Sequence, residues 1–212
     1  MFKSILCLNG NLPDRETILG LRKNNPLIAA DGAANHLIKN NIKPNIIIGD
    51  LDSLDTNLDL KNINILKVSD QNHTDFEKSL KYTIQRKLFP ILVLGINGGE
   101  IDHIIDNMNK FIKYSTNIPM IFFDSPNKWG VAISKNIEIK TKQSSTISIF
   151  PFEHNTHLKS TGLNWELDSN NHTIFQNPST RNKNTSTNVS ISSSKDKVLV
   201  IIENDSVPFI IK

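Results

Sequence analysis

The sequence predicts an α/β N-terminal domain, residues 1–125, built on a mostly parallel, Rossmann-like sheet, followed by an all-β C-terminal domain, residues 126–212, that reads as a small antiparallel sandwich or barrel. Three observations predict it. Up to about residue 125, short apolar runs alternate with stretches of helical period, the rhythm of βα units. Beyond Ser125-Pro126-Asn127 that rhythm stops, and short β-rich runs are separated by Asn, Ser and Gly. Finally, the apolar runs of the first half end in carboxylates and glycines, which suits the edge of an open α/β sheet where ligands bind.

The elements follow in order. Residues 2–8 form a first strand: the apolar stretch is short and stops at Asn9-Gly10-Asn11 without a small-residue cleavage site, unlike a signal peptide. Further strands are expected at 27–30, 45–48, 63–68, 91–94 and 119–123, and helices at 15–21, 33–40, 74–88 and 101–113. The third helix opens with Thr74-Asp75-Phe76-Glu77, a capping box with Glu77 at N3. Phe76, Leu80 and Ile84 supply its core stripe, and Ile101, Ile104, Ile105, Met108 and Ile112 supply that of the fourth helix. In the second half, strands are expected at 131–133, 146–150, 189–192 and 198–202, with alternation at 137–140 and a polar loop at 182–188.

Composition narrows the function classes. With 38% hydrophobic and 21% charged residues, the 212-residue chain reads as a soluble globular protein with a real core. No apolar run approaches the ~20 residues of a membrane span, so no membrane partner is expected. The single cysteine, Cys7, permits no intrachain disulfide, and a reducing, cytoplasmic location is the default expectation. The net charge of +3 is spread thinly, without basic blocks, which argues against nucleic-acid binding.

The chemistry concentrates at strand ends. Ile46-Ile47-Ile48 stops at Gly49-Asp50-Leu51-Asp52-Ser53. Two carboxylates at i and i+2 repel each other and cost desolvation energy unless a cation lies between them, and hard oxygen ligands that leave room for phosphates suit Mg²⁺. A polar turn with Ser53 capping the next element is the alternative. Asp31-Gly32 follows the second strand, where Asp31 either caps a helix or faces a ligand at its N-terminus. Asp75 and Lys78 share a face at the start of the third helix, as metal and phosphate ligands or as an ordinary i, i+3 ion pair. Gly98-Gly99 permits close backbone approach ahead of Asp102 and His103, the latter read as structural. The chain has neither a glycine-rich phosphate loop of known pattern nor a serine or cysteine nucleophile motif, so phosphate chemistry has to rest on carboxylate-held metal and backbone amides.

Taken together, Ala30-Asp31-Gly32-Ala33-Ala34-Asn35, Ile48-Gly49-Asp50-Leu51-Asp52-Ser53, Asp70-Gln71-x-x-Thr74-Asp75-x-Glu77-Lys78 and Gly98-Gly99-x-x-Asp102-His103 resemble the thiamine pyrophosphokinase family in order and spacing. Ser160-Thr161-Gly162-Leu163-Asn164-Trp165 and Ser179-Thr180-Arg181-Asn182 resemble that family's C-terminal segments, so the similarity spans nearly the whole chain. The resemblance implies a β-sandwich for the second domain, a homodimer with sites at the subunit interface, and ATP and thiamine as substrates, pyrophosphate passing to the thiamine hydroxyl with release of AMP. By position it implies that Asp50, Asp52 and Asp75 hold Mg²⁺, with Asp31 and Asp102 completing a catalytic acidic cluster. It further implies that Gln71, Thr74 and Lys78 face nucleotide or thiamine groups, and that Trp165 stacks on the thiamine pyrimidine near Ser179 and Asn182. Glu100 stands where bacterial members often carry arginine, leaving Lys78 or Arg181 to supply positive charge. Asn97 likewise replaces a usual threonine, and Arg181 interrupts the usual serine–asparagine turn. Two other readings are a pyrophosphokinase for a different heteroaromatic alcohol, such as a pterin, and a non-catalytic nucleotide- or RNA-binding module.

Overall fold

The computed structural model describes residues 2–195 and 197–209. The chain forms a large mixed sheet with helices and a separate antiparallel sheet. Its elements are β1 Ser4–Cys7, α1 Arg15–Arg22, β2 Leu27–Ala30, α2 Ala33–Lys39, β3 Ile46–Gly49, β4 Asn64–Lys67, α3 Asp75–Gln85, β5 Ile91–Leu94, α4 Ile101–Ser115 and β6 Met120–Asp124. There follow β7 Lys128–Ile133, β8 Asn136–Lys140, β9 Thr146–Pro151, β10 Thr156–Thr161, β11 Asp168–His172, β12 Ser179–Lys183, β13 Asn188–Ser193 and β14 Val198–Glu203. The ten-stranded sheet runs β12-β9-β14-β7-β6-β5-β1-β2-β3-β4 and the four-stranded sheet β11-β10-β13-β8.

Two compact units emerge. The first contains residues up to Lys110 and Phe122–Pro126; the second contains Phe111–Ile121 and the chain from Asn127 onward. In the first, β5, β1, β2, β3 and β4 pair in parallel, with Leu6 opposite both Ile28 and Val93. Strands β1, β2, β3 and β5 are buried throughout, as Ile- and Leu-rich strands of a parallel sheet must be. β4 is the exception: it lies at the edge, and all four of its residues are exposed. Helix α3 packs on β2 and β3, and α2 on β2. The Thr74–Glu77 capping box forms as expected. α3 is shorter than its apolar pattern suggested, because Lys87 takes a left-handed backbone (φ 55°) shortly before Pro90. Phe76 and Leu80 are buried, but Ile84 is 42% exposed and Thr83 takes the core position.

The fourth helix reverses an expectation. Ile101 and Ile105 are exposed (74% and 64%), Ile104 and Met108 are half-buried, and burial begins only at Phe111 and Ile112. Its first three turns instead direct His103, Asp106, Asn107 and Lys110 at a cavity. Both stripes have helical spacing, so period alone did not say which one faces inward.

In the second unit, β14 pairs antiparallel with β7 and β9, β9 with β12, and β13 with β8 and β10. Alternation at 137–140 holds: Ile137 and Ile139 are buried, Glu138 and Lys140 exposed. The polar loop expected at 182–188 begins later, since Asn182 and Lys183 belong to β12.

Candidate functional site

Parallel strands of one sheet present their C-terminal ends along one edge, so the carboxylates that follow β2, β3 and β4 meet. They line a cavity of about 420 Å³ within the first unit. Leu8 and Asn9 after β1, Asp31 and Gly32 after β2, Asp50, Asp52 and Ser53 after β3, the Gln71–Lys78 stretch, Gly98 after β5 and the polar face of α4 form its walls. Strand order reverses at β1, where the chain passes from β4 to β5 on the other side, and such reversals open a crevice.

The acidic cluster sits in strained backbone. Asp31 (φ 37°) and Leu51 (φ 71°) both occupy the left-handed region, which costs roughly 1 kcal/mol or more for a residue with a side chain. The turn at Leu51 lets Asp50 and Asp52 converge, where an extended strand would hold side chains of one parity on one face and pass them along it. One carboxylate oxygen each from Asp31, Asp50 and Asp52 lie within 4.8 Å of one another. Asp31 does not cap α2, whose N-cap is Gly32 without any side-chain hydrogen bond. Nor does Ser53 cap an element: its N–H donates to Asp31 Oδ2 (3.3 Å) and its hydroxyl to Asp52 Oδ1 (3.1 Å), and the next regular element is β4.

Electrostatics define the state of each group. Burial pushes the Asp31 carboxyl up to about 6 against the Ser53 N–H, and the nearby Asp75 and Asp52 charges push the same way as burial. Asp50 titrates below the usual carboxylate range because Gln71 Nε2 donates to its Oδ2 (2.8 Å) and Lys78 Nζ lies 3.6 Å away. Lys78 Nζ is closer to Asp75 Oδ1, at 2.8 Å. Burial works against the Lys78 ammonium, but Asp75 and Asp50 outweigh it and raise its pKa. Asp31 Oδ1 and Asp50 Oδ1 are buried and have no hydrogen-bond partner, although a buried carboxylate oxygen normally finds one. Three hard-oxygen donors, two with orphaned buried oxygens, fit a divalent cation.

The structure therefore brings Asp31, Asp50, Asp52, Gln71, Thr74, Asp75, Lys78 and Gly98 together around one cavity. Asp31 joins Asp50 and Asp52 in the cluster, the place expected of Asp75, whose Oδ1 is engaged by Lys78. Thr74 Oγ1 is engaged as the helix cap, accepting from Glu77 N–H. Gly98 (φ 102°) needs its missing side chain, since a Cβ there would lie 2.4 Å from the Asn11 amide carbon. Asp102 is exposed, accepts from the His103 N–H (2.8 Å), and is not among the residues that line the cavity; Gly99 is not among them either. Sequence reasoning missed Asn9, His73, Asn107 and Lys110. Lys110 faces Asp106 Oδ1 (3.4 Å) and Glu77 Oε2 (3.5 Å) and is a second lysine in the lining beside Lys78. The signal was available: positions 103, 106, 107 and 110 form a polar stripe at helical spacing. Arg181, the other expected source of positive charge, pairs with Glu203 in the second unit.

The second unit gathers Trp165, Ser179 and Asn182. Asn182 Oδ1 accepts from Trp165 N–H (3.2 Å), and its Nδ2 donates to Trp165 O (2.8 Å) and Ser179 Oγ (3.3 Å). Asn182 is buried and Trp165 is 64% exposed, so the amide holds the turn while the indole stays open.

Residues 20–122 match the family model described as thiamin pyrophosphokinase, catalytic domain, and residues 134–198 match thiamin pyrophosphokinase, vitamin B1 binding domain. Thiamin pyrophosphokinase 1 of Caenorhabditis elegans is 30% identical over 194 residues, covering 84% of this chain and 79% of that protein. Thiamine pyrophosphokinase 2 of Arabidopsis thaliana is 31% identical over 137 residues, about half of each chain. Among solved structures, thiamine pyrophosphokinase from Bacillus subtilis superposes with a TM-score of 0.79 at 21% identity, covering 97% of this chain and 100% of its own, which shows a shared fold. Yeast thiamin pyrophosphokinase gives 0.78 at 20% identity, covering 94% and 86%. With both family models matched in order and a relative aligned over most of its length, the chain belongs to the thiamin pyrophosphokinase family.

Proposed function

We propose that this chain is a thiamine diphosphokinase, transferring the pyrophosphoryl group of ATP to the hydroxyl of thiamine to give thiamine diphosphate and AMP. The observation that carries the reading is the meeting of Asp31, Asp50 and Asp52 at adjacent strand ends, in a chain whose two halves match the family's catalytic and vitamin B1 binding models. Transfer of this kind needs positioning and charge neutralisation more than covalent catalysis.

On this reading Asp31, Asp50 and Asp52 hold Mg²⁺, with Asp75 as a neighbouring fourth carboxylate. The bound ion supplies charge neutralisation at the phosphates. Gln71 fixes Asp50 through its 2.8 Å hydrogen bond, and Lys78 ties Asp75 to Asp50, so the carboxylates keep their places without substrate. Lys78 and Lys110 present ammonium groups to the phosphates in place of the arginine that Glu100 displaces. A cavity carboxylate takes the thiamine hydroxyl proton, a role for which exposed Asp102 is poorly placed. Trp165 offers its open indole to the thiamine pyrimidine, with Ser179 and Asn182 beside it.

The reading extends to organisation. Residues 1–125 serve as the catalytic, nucleotide-binding domain, and residues 126–212, as a sandwich, as the thiamine-binding and dimerising domain. Exposed Ile101 and Ile105 on α4 support a homodimer, because two large aliphatic side chains one turn apart are left in water in the single chain. The free buried Cys7 accords with a cytoplasmic location, and no helix among the described residues is long and apolar enough to cross a membrane. Product analysis tests the reaction: ATP, Mg²⁺ and thiamine should yield AMP and thiamine diphosphate, and a panel of other alcohols, pterins included, should not replace thiamine. Release of ADP, or turnover indifferent to thiamine, would refute it.

A further inference from the structure

The chain has two tryptophans with opposite fates. Trp129 is buried and donates its Nε1–H to Asn204 O (3.0 Å), whereas Trp165 is 64% exposed. An open aromatic on a loose turn would have to be ordered by its ligand, at a cost in affinity. The turn that carries Trp165 is not loose. Glu166 Oε1 accepts from the N–H groups of Gly162 (2.7 Å) and Leu163 (3.0 Å), which bend back beneath it. Glu166 Oε2 accepts from the Ser160 hydroxyl (2.5 Å), and Ser160 Oγ in turn accepts from Leu167 N–H (2.8 Å). One carboxylate thereby fastens the residues before and after the tryptophan to β10. It needs a carboxylate's capacity: two oxygens accept three bonds, and charge-assisted bonds are about twice as strong as neutral ones. Gly162 (φ 89°) supplies the tight bend, with no room for a Cβ against Asn188 O at 2.7 Å.

We propose that Glu166 is the positioning residue of the thiamine subsite: it holds the 162–167 turn so that the Trp165 indole is presented preformed to the flat heteroaromatic ring. The inference rests on the reading of Trp165 as the thiamine contact. It assigns Glu166 no contact with substrate and no part in the chemistry at phosphorus.

Steady-state kinetics of the full enzyme with Trp165→Ala, Glu166→Ala and Glu166→Gln test it, together with iodide quenching of the exposed indole. Glu166→Ala should raise the thiamine KM about two- to fivefold and by no more than Trp165→Ala does, the cost of ordering the turn and its side chains on binding, while kcat and the ATP KM stay within about twofold. Glu166→Gln keeps one accepting oxygen for Gly162 and Leu163, so it should fall between parent and alanine variant. Iodide should quench Trp165 more strongly in Glu166→Ala than in the parent before thiamine is added, and addition of thiamine should remove the difference. A merely structural role would instead lower apparent kcat through loss of folded enzyme and leave the thiamine KM unchanged, which would overturn the proposal. If Glu166→Ala does not fold, Glu166→Gln decides: an unchanged thiamine KM overturns it. If Trp165→Ala raises the thiamine KM and neither Glu166 variant does, only the positioning role falls. If Trp165→Ala leaves it unchanged, the assignment of this surface to thiamine falls as well.

Discussion

The acidic cavity of the first unit and the Trp165 turn of the second are built on opposite plans. In the cavity, like charges are gathered, two non-glycine positions of the acidic cluster, Asp31 and Leu51, are left-handed, and buried carboxylate oxygens lack partners. In the turn, the polar groups around the tryptophan are paired, and the part left open is an apolar ring. One region stores unfavourable electrostatics that a cation would relieve; the other invests hydrogen bonds in fixing a shape. On the proposed function, the difference teaches what each ligand would bring: positive charge to the first, a flat face to the second.

The sharpest way to break the contrast is to withhold the cation. Chelation should abolish turnover and Mg²⁺ restore it, while thiamine quenching of Trp165 fluorescence survives chelation; loss of both signals together would make the two regions one site in energetic terms. Next in size, Asp50→Asn and Asp52→Asn should each lower kcat by about 10²-fold or more, as removal of a group aimed at transition-state charge does. Near-normal kcat in both would remove them from the metal site.

Asp31→Asn separates stability from activity. With the folded pKa raised from 3.8 to about 6, protonated Asp31 favours the folded state, a contribution present below about pH 4 and lost as pH rises through 6. In metal-free protein the variant should therefore gain stability over the parent as pH climbs from about 4 to above 6, by up to about 3 kcal/mol, measured by thermal or urea unfolding, while its activity falls. A stability difference that does not vary with pH would contradict a raised Asp31 pKa. Smallest in free energy is Trp165→Ala, expected to raise the thiamine KM about two- to tenfold, the worth of one aromatic stacking contact, with the ATP KM unchanged.

Much of the first unit was legible because its strands are buried on both faces and therefore run apolar until the sheet ends, so Asp31 and Asp50 mark those ends in the text itself. The polar strands were not. Thr156–Thr161, Asp168–His172 and Ser179–Lys183 carry too few apolar residues to alternate visibly, and pairing with neighbouring strands defines them. α4 was misread for the reverse reason: it bears two stripes, and only tertiary placement shows that the polar one lines a cavity. The acidic residues could be named from sequence, but not their partnerships, since whether Asp75 meets Lys78 or the cluster depends on side-chain reach.

Gly49 has no functional group, yet the site has little tolerance for change there. A Cβ at this position would lie 2.6 Å from the Asp31 Cβ and 3.1 Å from Asp75 Oδ1. The end of β3 is thus bare main chain serving as the wall against which two carboxylates rest. Under random mutation this residue should drift less than many of the charged ones around it. An altered charge can be answered by a neighbouring charge, whereas a side chain here can be answered only by moving the strand.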